Sequence, residues 1–411
     1  MCSPGPSASL HRAADAPIRP QVKHRVSSRG AVRLKERGYA TDQRQVDRQA
    51  ARPMRLVVDA LAATQGGLAT YVRGLLRGWP EVAPHDRLTI FASGSFGERL
   101  AADPSCASHE IRLLPLRNPA GVWRFIRTEF LVPGEQRRAD ALLATLPTIP
   151  VGWRKPAVIV VHDLRHDDRP AEFTPQQRLA RSLFYTRAYS RANRIVAISQ
   201  RVADDLATRY PRTAPRIRVA LHGSDHVTNS QSTRSGDAIA FGHLANKEPS
   251  LLLATWKHLL EGSGPRVPTL HVIGLDQSTH TLLRGEAIRL KIEDQVVLDA
   301  YVPDDQLETL MLSASLMLLP SRHEGFGLPV LEAMRHGVPV VISPDRALRE
   351  VAGGHAAEST GWSPEQLAIA VRRAMVMTAT EVHSARHHAD RFTWRRSAEI
   401  TRDAIVGALH S

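Results

Sequence analysis

Short apolar runs and longer amphipathic stretches alternate along most of this chain. Leu56-Val57-Val58, Leu88-Thr89-Ile90-Phe91, Ile111-Arg112-Leu113-Leu114 and Leu142-Leu143-Ala144-Thr145 open the series. Val158-Ile159-Val160-Val161, Arg194-Ile195-Val196-Ala197-Ile198 and Arg216-Ile217-Arg218-Val219-Ala220-Leu221 extend it. Runs this short and this apolar predict strands buried on both faces of a parallel sheet. After the first run, Gly66-Gly67 marks a strand-to-helix turn, and Leu68, Tyr71, Val72, Leu75 and Leu76 fall on one helix face. Trp123, Phe125 and Phe130 are expected in helix core. Thr228 to Asp237 is polar and reads as a linker, beyond which Ala238-Ile239-Ala240-Phe241 begins a fresh series. Leu270-His271-Val272-Ile273, Val296-Val297-Leu298, Leu316 to Leu319 and Val338-Pro339-Val340-Val341-Ile342 supply its further strands. Strand and helix in alternation predict an α/β chain of two doubly wound, Rossmann-like domains.

One stretch carries most of the chemistry. Leu316 to Leu319 runs into Ser321-Arg322-His323-Glu324-Gly325-Phe326-Gly327-Leu328-Pro329 and then a helix containing Glu332. Gly325 and Gly327 let backbone approach a ligand closely, and Pro329 suits the first helical turn. The free N–H groups and positive end of that helix suit a phosphate. Glu332 sits among Val330, Leu331, Ala333 and Met334, so it is expected to be partly buried and to need hydrogen-bonding partners. Sugar hydroxyls would serve, with Glu332 on a ribose diol and Glu324 on a second sugar. A phosphate cradle between two such acids describes a nucleotide-sugar site. A dinucleotide fingerprint is the weaker match, because its third glycine position is Val330.

The stretch resembles the Glu-x7-Glu signature of retaining nucleotide-sugar glycosyltransferases of glycosyltransferase family 4, which have the GT-B fold. Glu324 and Glu332 match its two acids. Other matches follow in order: Gly66-Gly67 at the first donor loop, His162-Asp163-Leu164, Ser199 at a strand end, and Lys247 in the loop Gly242 to Glu248. Glu350 within Ala347 to Gly353 resembles the acid that follows the base-binding loop, and Phe392-Thr393-Trp394 resembles the closing motif. His222 departs from the asparagine usual in the hinge turn His222-Gly223-Ser224-Asp225. The resemblance implies an acceptor-side domain at 54–227, a linker at 228–237, a nucleotide-sugar domain at 238–390 and a returning helix at 391–411. It implies transfer of a hexosyl, mannose-like group to a glycan or lipid-linked acceptor with retention, by front-face attack. His162, Glu324 and Lys247 would then act in catalysis, and Gly66, Gly67, Gly325, Phe326, Gly327, Leu328 and Glu332 would hold the donor. No cofactor and no metal are expected. A sugar-nucleotide epimerase on the same fold is the competing enzyme reading.

Charge changes the picture at the front of the chain. Of the formal net charge of +13, residues 1–53 contribute +7, from eleven Lys/Arg against four Asp/Glu. That segment lacks apolar periodicity and is expected to be a disordered basic extension. A translation start at Met54 is the competing account of it. The basic balance suits peripheral contact with an anionic membrane. A binding protein that uses this tail on nucleic acid is the non-enzymatic alternative, and no nucleic-acid partner is expected. Two cysteines, Cys2 and Cys106, form no zinc spacing and fit a cytoplasmic protein. No apolar run reaches the roughly 20 residues that span a bilayer. His162, Asp163, His166, Asp167 and Asp168 could form a metal cluster, but Asp167 and Asp168 read more simply as loop residues. His383, His387 and His388 read as a solvated basic helix face.

Overall fold

The computed structural model describes residues 52–114, 128–129, 132–228, 230, 232–234, 236–243 and 245–411. Residues 1–51, the aromatic group Trp123, Phe125 and Phe130, and Leu244 lie outside the described residues. Seven parallel strands form a first sheet: β1 (Arg55–Asp59), β2 (Arg87–Ser93), β3 (Glu110–Leu114), β4 (Ala141–Ala144), β5 (Ala157–Val161), β6 (Arg194–Ala197) and β7 (Ile217–Val219). Their spatial order is β3-β2-β1-β4-β5-β6-β7. Six more form a second parallel sheet: β8 (Ala238–Phe241), β9 (Leu270–Ile273), β10 (Val296–Leu298), β11 (Leu316–Leu319), β12 (Val340–Ile342) and β13 (Ala357–Glu358), in the order β10-β9-β8-β11-β12-β13. Every residue of β5 and of β11 is buried, as central strands covered by helices on both faces require.

Strand order reverses between β1 and β4 in the first sheet and between β8 and β11 in the second. Open α/β sheets bind ligands outside the carboxyl ends of the strands at such a reversal. The loops after β8 and β11 therefore share the ligand-binding edge of the second sheet. Those are the loops that carry Lys247 and Glu324.

Helix Trp394–Leu409 returns to the first sheet and packs on helix Gly66–Val82 and against β4, β5 and β6. Small residues make room for it. A Cβ on Gly74 would lie 2.0 Å from the Trp394 ring, and one on Gly78 2.5 Å from the Trp394 backbone. The helix start is fixed twice, by Thr393 Oγ1 accepting from Arg396 N at 3.2 Å and by Asp225 Oδ1 accepting from Trp394 N at 2.8 Å. Further along, Arg402 Nε donates to Asp86 Oδ2 at 2.9 Å in a buried pair. Asp86 also accepts from Met54 N and from Trp79 Nε1, so its carboxylate ties the start of β1, the first helix and the last helix together.

Trp394 also walls the turn where the chain leaves the first sheet. His222 is buried there, its ring 5.0 Å from Tyr71, 5.5 Å from Trp394, 4.7 Å from Phe326 and 5.9 Å from His162. Burial, aided by His162 and His226, pushes its pKa well below the usual histidine range. The histidine face expected to be solvated is so only at His383 and His387. His388 is buried, and its Nε2 donates to the Val351 carbonyl at 2.8 Å, because its turn of helix packs against Val351 and Phe392 rather than facing water.

Removing one partner of the Arg402–Asp86 pair leaves a buried charge unmatched. Arg402→Ala is expected to lower the unfolding free energy by about 3 to 5 kcal/mol, measured by urea denaturation. A loss below about 0.5 kcal/mol would place the pair among ordinary surface ion pairs. His222 stays neutral in the fold while the unfolded chain takes up its proton below about pH 6.5. Its stabilising share is therefore complete above that pH and declines as the pH falls. His222→Asn is expected to flatten the fall in stability between about pH 6.5 and 5 by up to about 1.4 kcal/mol per pH unit. Parallel pH–stability curves for the two proteins would remove His222 as a cause.

Candidate functional site

The loop after β11 is shaped by its glycines. Gly327 has φ +100°, a left-handed conformation that glycine adopts freely, and it caps helix Leu328–Arg335. Pro329 lies in the first turn of that helix, where the absence of its N–H costs nothing. Gly325 is held for a different reason. A Cβ there would come within 1.9 Å of the His162 carbonyl oxygen, so only a residue without a side chain lets this loop meet the end of β5. Ser199 Oγ donates to the Gly325 carbonyl at 2.6 Å while accepting from Val202 N at 3.2 Å. The serine thus caps helix Gln200–Arg209 and also holds the loop of the other sheet.

Glu324 lies beside this contact. Its Oε1 accepts from Lys247 Nζ at 2.5 Å, its carbonyl accepts from Arg201 Nη1 at 2.6 Å, and its N–H donates to Asp345 Oδ2 at 3.3 Å. Burial by itself would raise the Glu324 pKa, but the Lys247 ammonium and its hydrogen bond outweigh that and hold it below the usual carboxylate range. Asp345 moves the other way. Burial raises its pKa, although it accepts from Ala347 N and Leu348 N at the start of helix Arg346–Ala352. Lys247 is 6% exposed, in the short turn Ala245–Lys247. Asn246 ties that turn to the glycine loop, with Nδ2 donating to the His323 carbonyl at 2.8 Å and its own carbonyl accepting from Arg322 N at 3.0 Å.

Glu332 is partly buried, as expected, and has a protein partner. Trp394 Nε1, which can only donate, lies 3.1 Å from His226 Nδ1, so the His226 proton is on Nε2, 2.9 Å from Glu332 Oε1. His162 Nε2 is 3.0 Å from the Thr145 carbonyl and therefore donates to it. Burial lowers the His162 pKa to about 4, against the opposing pull of Asp163, so the ring is neutral near pH 7. Gly66 and Gly67 stand at the start of helix Gly66–Val82, where a Cβ on either would meet no atom within 4 Å. Phe326 and Leu328 are buried against the hinge and the helix, with the Phe326 ring on His222.

Several contacts across this edge are ones the sequence reading did not anticipate. Both Glu350 oxygens accept from the N-terminus of helix Gln200–Arg209, from Gln200 N at 2.7 Å and Arg201 N at 3.0 Å. Arg346 pairs with Asp204 and Asp205, and His323 Nε2 lies 3.0 Å from Asp168 Oδ2. Asp167 and Asp168, expected in a loop, fall in a short helix, Arg165–Asp168, and pair with Arg209. One signal was available for Glu350: the first turn of helix Gln200–Arg209 has no acid of its own. Among the described residues, no group of three or more His, Cys, Asp or Glu side chains is arranged to hold a metal ion.

Comparison with known proteins bears on the family and the fold. The model of "Glycosyltransferase Family 4" matches residues 65–227, and that of "Glycosyl transferases group 1" matches residues 232–381. A D-inositol 3-phosphate glycosyltransferase of Streptomyces bingchenggensis is 25% identical over 287 residues, 62% of each chain, so this chain spans about three-fifths of that relative's length. A GDP-mannose-dependent alpha-(1-6)-phosphatidylinositol dimannoside mannosyltransferase of Mycobacterium tuberculosis is 38% identical over 103 residues, 24% of this chain and 26% of that one. In structure, Anabaena HepE in complex with UDP and glucose superposes with a TM-score of 0.66 at 19% identity, covering 84% of this chain and 97% of its own. That likeness identifies the fold as GT-B. With the two family models falling on the two sheets in order, the chain belongs to glycosyltransferase family 4, the glycosyl transferases group 1.

Proposed function

We propose that this protein transfers a hexosyl, mannose-like group from a nucleoside-diphosphate sugar to the hydroxyl of a glycan or lipid-linked acceptor, with retention. The observation that carries this reading is the buried Lys247–Glu324 pair beside helix Leu328–Arg335, at the strand-order reversal of the second sheet. A donor diphosphate entering there would take over the lysine and the positive helix end. Glu324 would then be released to accept from sugar hydroxyls. Glu332, held by His226, is set to accept from a ribose diol. His162, neutral and tied through Nε2 to the Thr145 carbonyl, keeps Nδ1 as an acceptor for a hydroxyl of the reacting sugar. Positioning and stabilisation of the leaving diphosphate supply the catalysis in this reading. Lys247 and the helix end carry the countercharge, and no metal cofactor is needed. Named mannosyltransferases among the relatives favour mannose over other hexoses.

The setting we propose is cytoplasmic, with peripheral contact to an anionic membrane. No helix among the described residues is long and apolar enough to cross a bilayer. Helix Pro175–Arg191 contains no acid and turns Leu179 and Leu183 outward, 63% and 62% exposed, beside Arg178. Exposed leucines on a cationic helix suit a lipid surface.

Lys247→Ala and Glu324→Ala are each expected to lower kcat/KM for transfer by about 100-fold or more while leaving the protein folded. The readout is product formation from a panel of nucleoside-diphosphate sugars, repeated with a chelator, which should change nothing. Near-parent turnover in either folded variant would remove that residue from the reaction. In vesicle sedimentation, Leu179→Asp together with Leu183→Asp is expected to lower the bound fraction several-fold. Equal binding by parent and variant would clear this helix of membrane contact.

A further inference from the structure

Many arginines described on this protein have an acidic partner. Arg77 pairs with Asp103, Arg112 with Glu110 and Glu135, Arg322 with Glu248, Arg335 with Asp390 and Arg349 with Glu358. One pocket gathers several that do not. A pocket of about 380 Å³ opens at the amino ends of β1, β2, β4 and β5, on the sheet edge opposite His162. Arg52, Arg55, Arg87, Arg137, Arg138 and Lys155 line it, with Asp140 as the one carboxylate among the lining residues. Asp140 is already engaged, accepting from Arg55 N at 2.8 Å. Lys155 donates to the Ala139 carbonyl, and Arg138 feels the charge of Glu110. The guanidinium groups of Arg55, Arg87 and Arg137 have no acidic partner among the described residues.

These cations come from four separate segments that the parallel sheet brings to one edge. Their mutual repulsion in a concave site costs stability unless an anion offsets it. The chain's own preceding segment does not suit the role: residues 1–51 carry ten Lys/Arg against four Asp/Glu, the same sign as the pocket. Planar guanidinium forks match phosphate oxygens in pairs, and three unengaged forks in one pocket match more than a single charge. The pocket is also separate from the donor cleft, by the length of the strands that run between the two edges, about 15 Å for five residues.

We infer that this pocket is a second anion site, which binds a multiply charged phosphate group through Arg55, Arg87 and Arg137. The phosphate could belong to a free polyphosphorylated molecule or to a lipid headgroup, and the same arginines would take either. The probe is inorganic tripolyphosphate, titrated calorimetrically into the full chain at an ionic strength of about 0.15 M. Three proteins are compared: the parent, Arg87→Glu with Arg137→Glu, and Lys247→Ala. Lys247→Ala, with its donor cleft altered, should retain tripolyphosphate binding. The arginine variant should lose affinity by about tenfold or more. If charge reversal unfolds the protein, Arg87→Ser with Arg137→Ser serves instead, both side chains being exposed. Equal affinity in parent and arginine variant, or loss of all binding in Lys247→Ala, would overturn the assignment. So would equal competition by chloride at matched ionic strength. Vesicles of phosphatidylcholine containing phosphatidic acid separate the sources. Sedimentation lowered in the arginine variant, whatever its level in Leu179→Asp with Leu183→Asp, assigns a lipid headgroup. Tripolyphosphate binding without sedimentation through the arginines assigns a free phosphate compound.

Discussion

A backbone contact joins the loops of the two sheets, and much else follows from it. The Gly325 Cα faces the His162 carbonyl at a distance that no side chain would allow. Ser199 then reaches the Gly325 carbonyl, and Arg201 reaches that of Glu324. A loop held through its carbonyls cannot swing its side chains freely. Glu324 is therefore presented to Lys247 in a fixed direction, with Lys247 buried and Glu324 partly so. The pair is costly to desolvate and is stabilised by its short contact and by the hydrogen bonds around it. Such an arrangement suits a site in which an incoming anion replaces one partner of an existing pair.

Around that contact, each sheet supplies what the other lacks. Helix Gln200–Arg209 starts without an acid in its first turn, and Glu350 from helix Arg346–Ala352 of the second sheet's series accepts from two of its N–H groups. Helix Leu328–Arg335 carries Glu332, whose orientation depends on His226 and, through it, on Trp394 at the head of the last helix. That helix is anchored on the first domain by Arg402 and Asp86. A chain of hydrogen bonds and packing thus connects Glu332 to the far side of the first sheet. Its links are ordinary ones, a capped helix, a tautomer set by an indole donor, and a buried ion pair.

Most of the scaffold was legible because its determinants are local. Buried parallel strands need continuous apolar runs, and Val158 to Val161 or Leu316 to Leu319 admit few other readings. Glycines beside a helix start show where backbone must bend or approach, as at Gly327. β13 was missed, since Ala357–Glu358 is a two-residue edge strand with no apolar run to show it. Asp167 and Asp168 looked like loop residues because their partners, Arg209 and His323, are distant in sequence. His388 looked solvated among charged neighbours, and only the packing of its helix turned it inward.

The sequence alone determined the alternating strand and helix order, the two-domain plan, and the spacing of Glu324 and Glu332 around a glycine loop. Those depend on periodicity and on backbone conformations that neighbouring residues dictate. Tertiary structure decided everything that joins residues far apart in the chain: the strand order that puts Lys247 and Glu324 at one reversal, the neutral state of His162, and the proton on Nε2 of His226. It also decided which cations gather in one pocket at the amino edge of the first sheet. Pair formation and burial are properties of distance in space, and sequence separation carries no record of that distance.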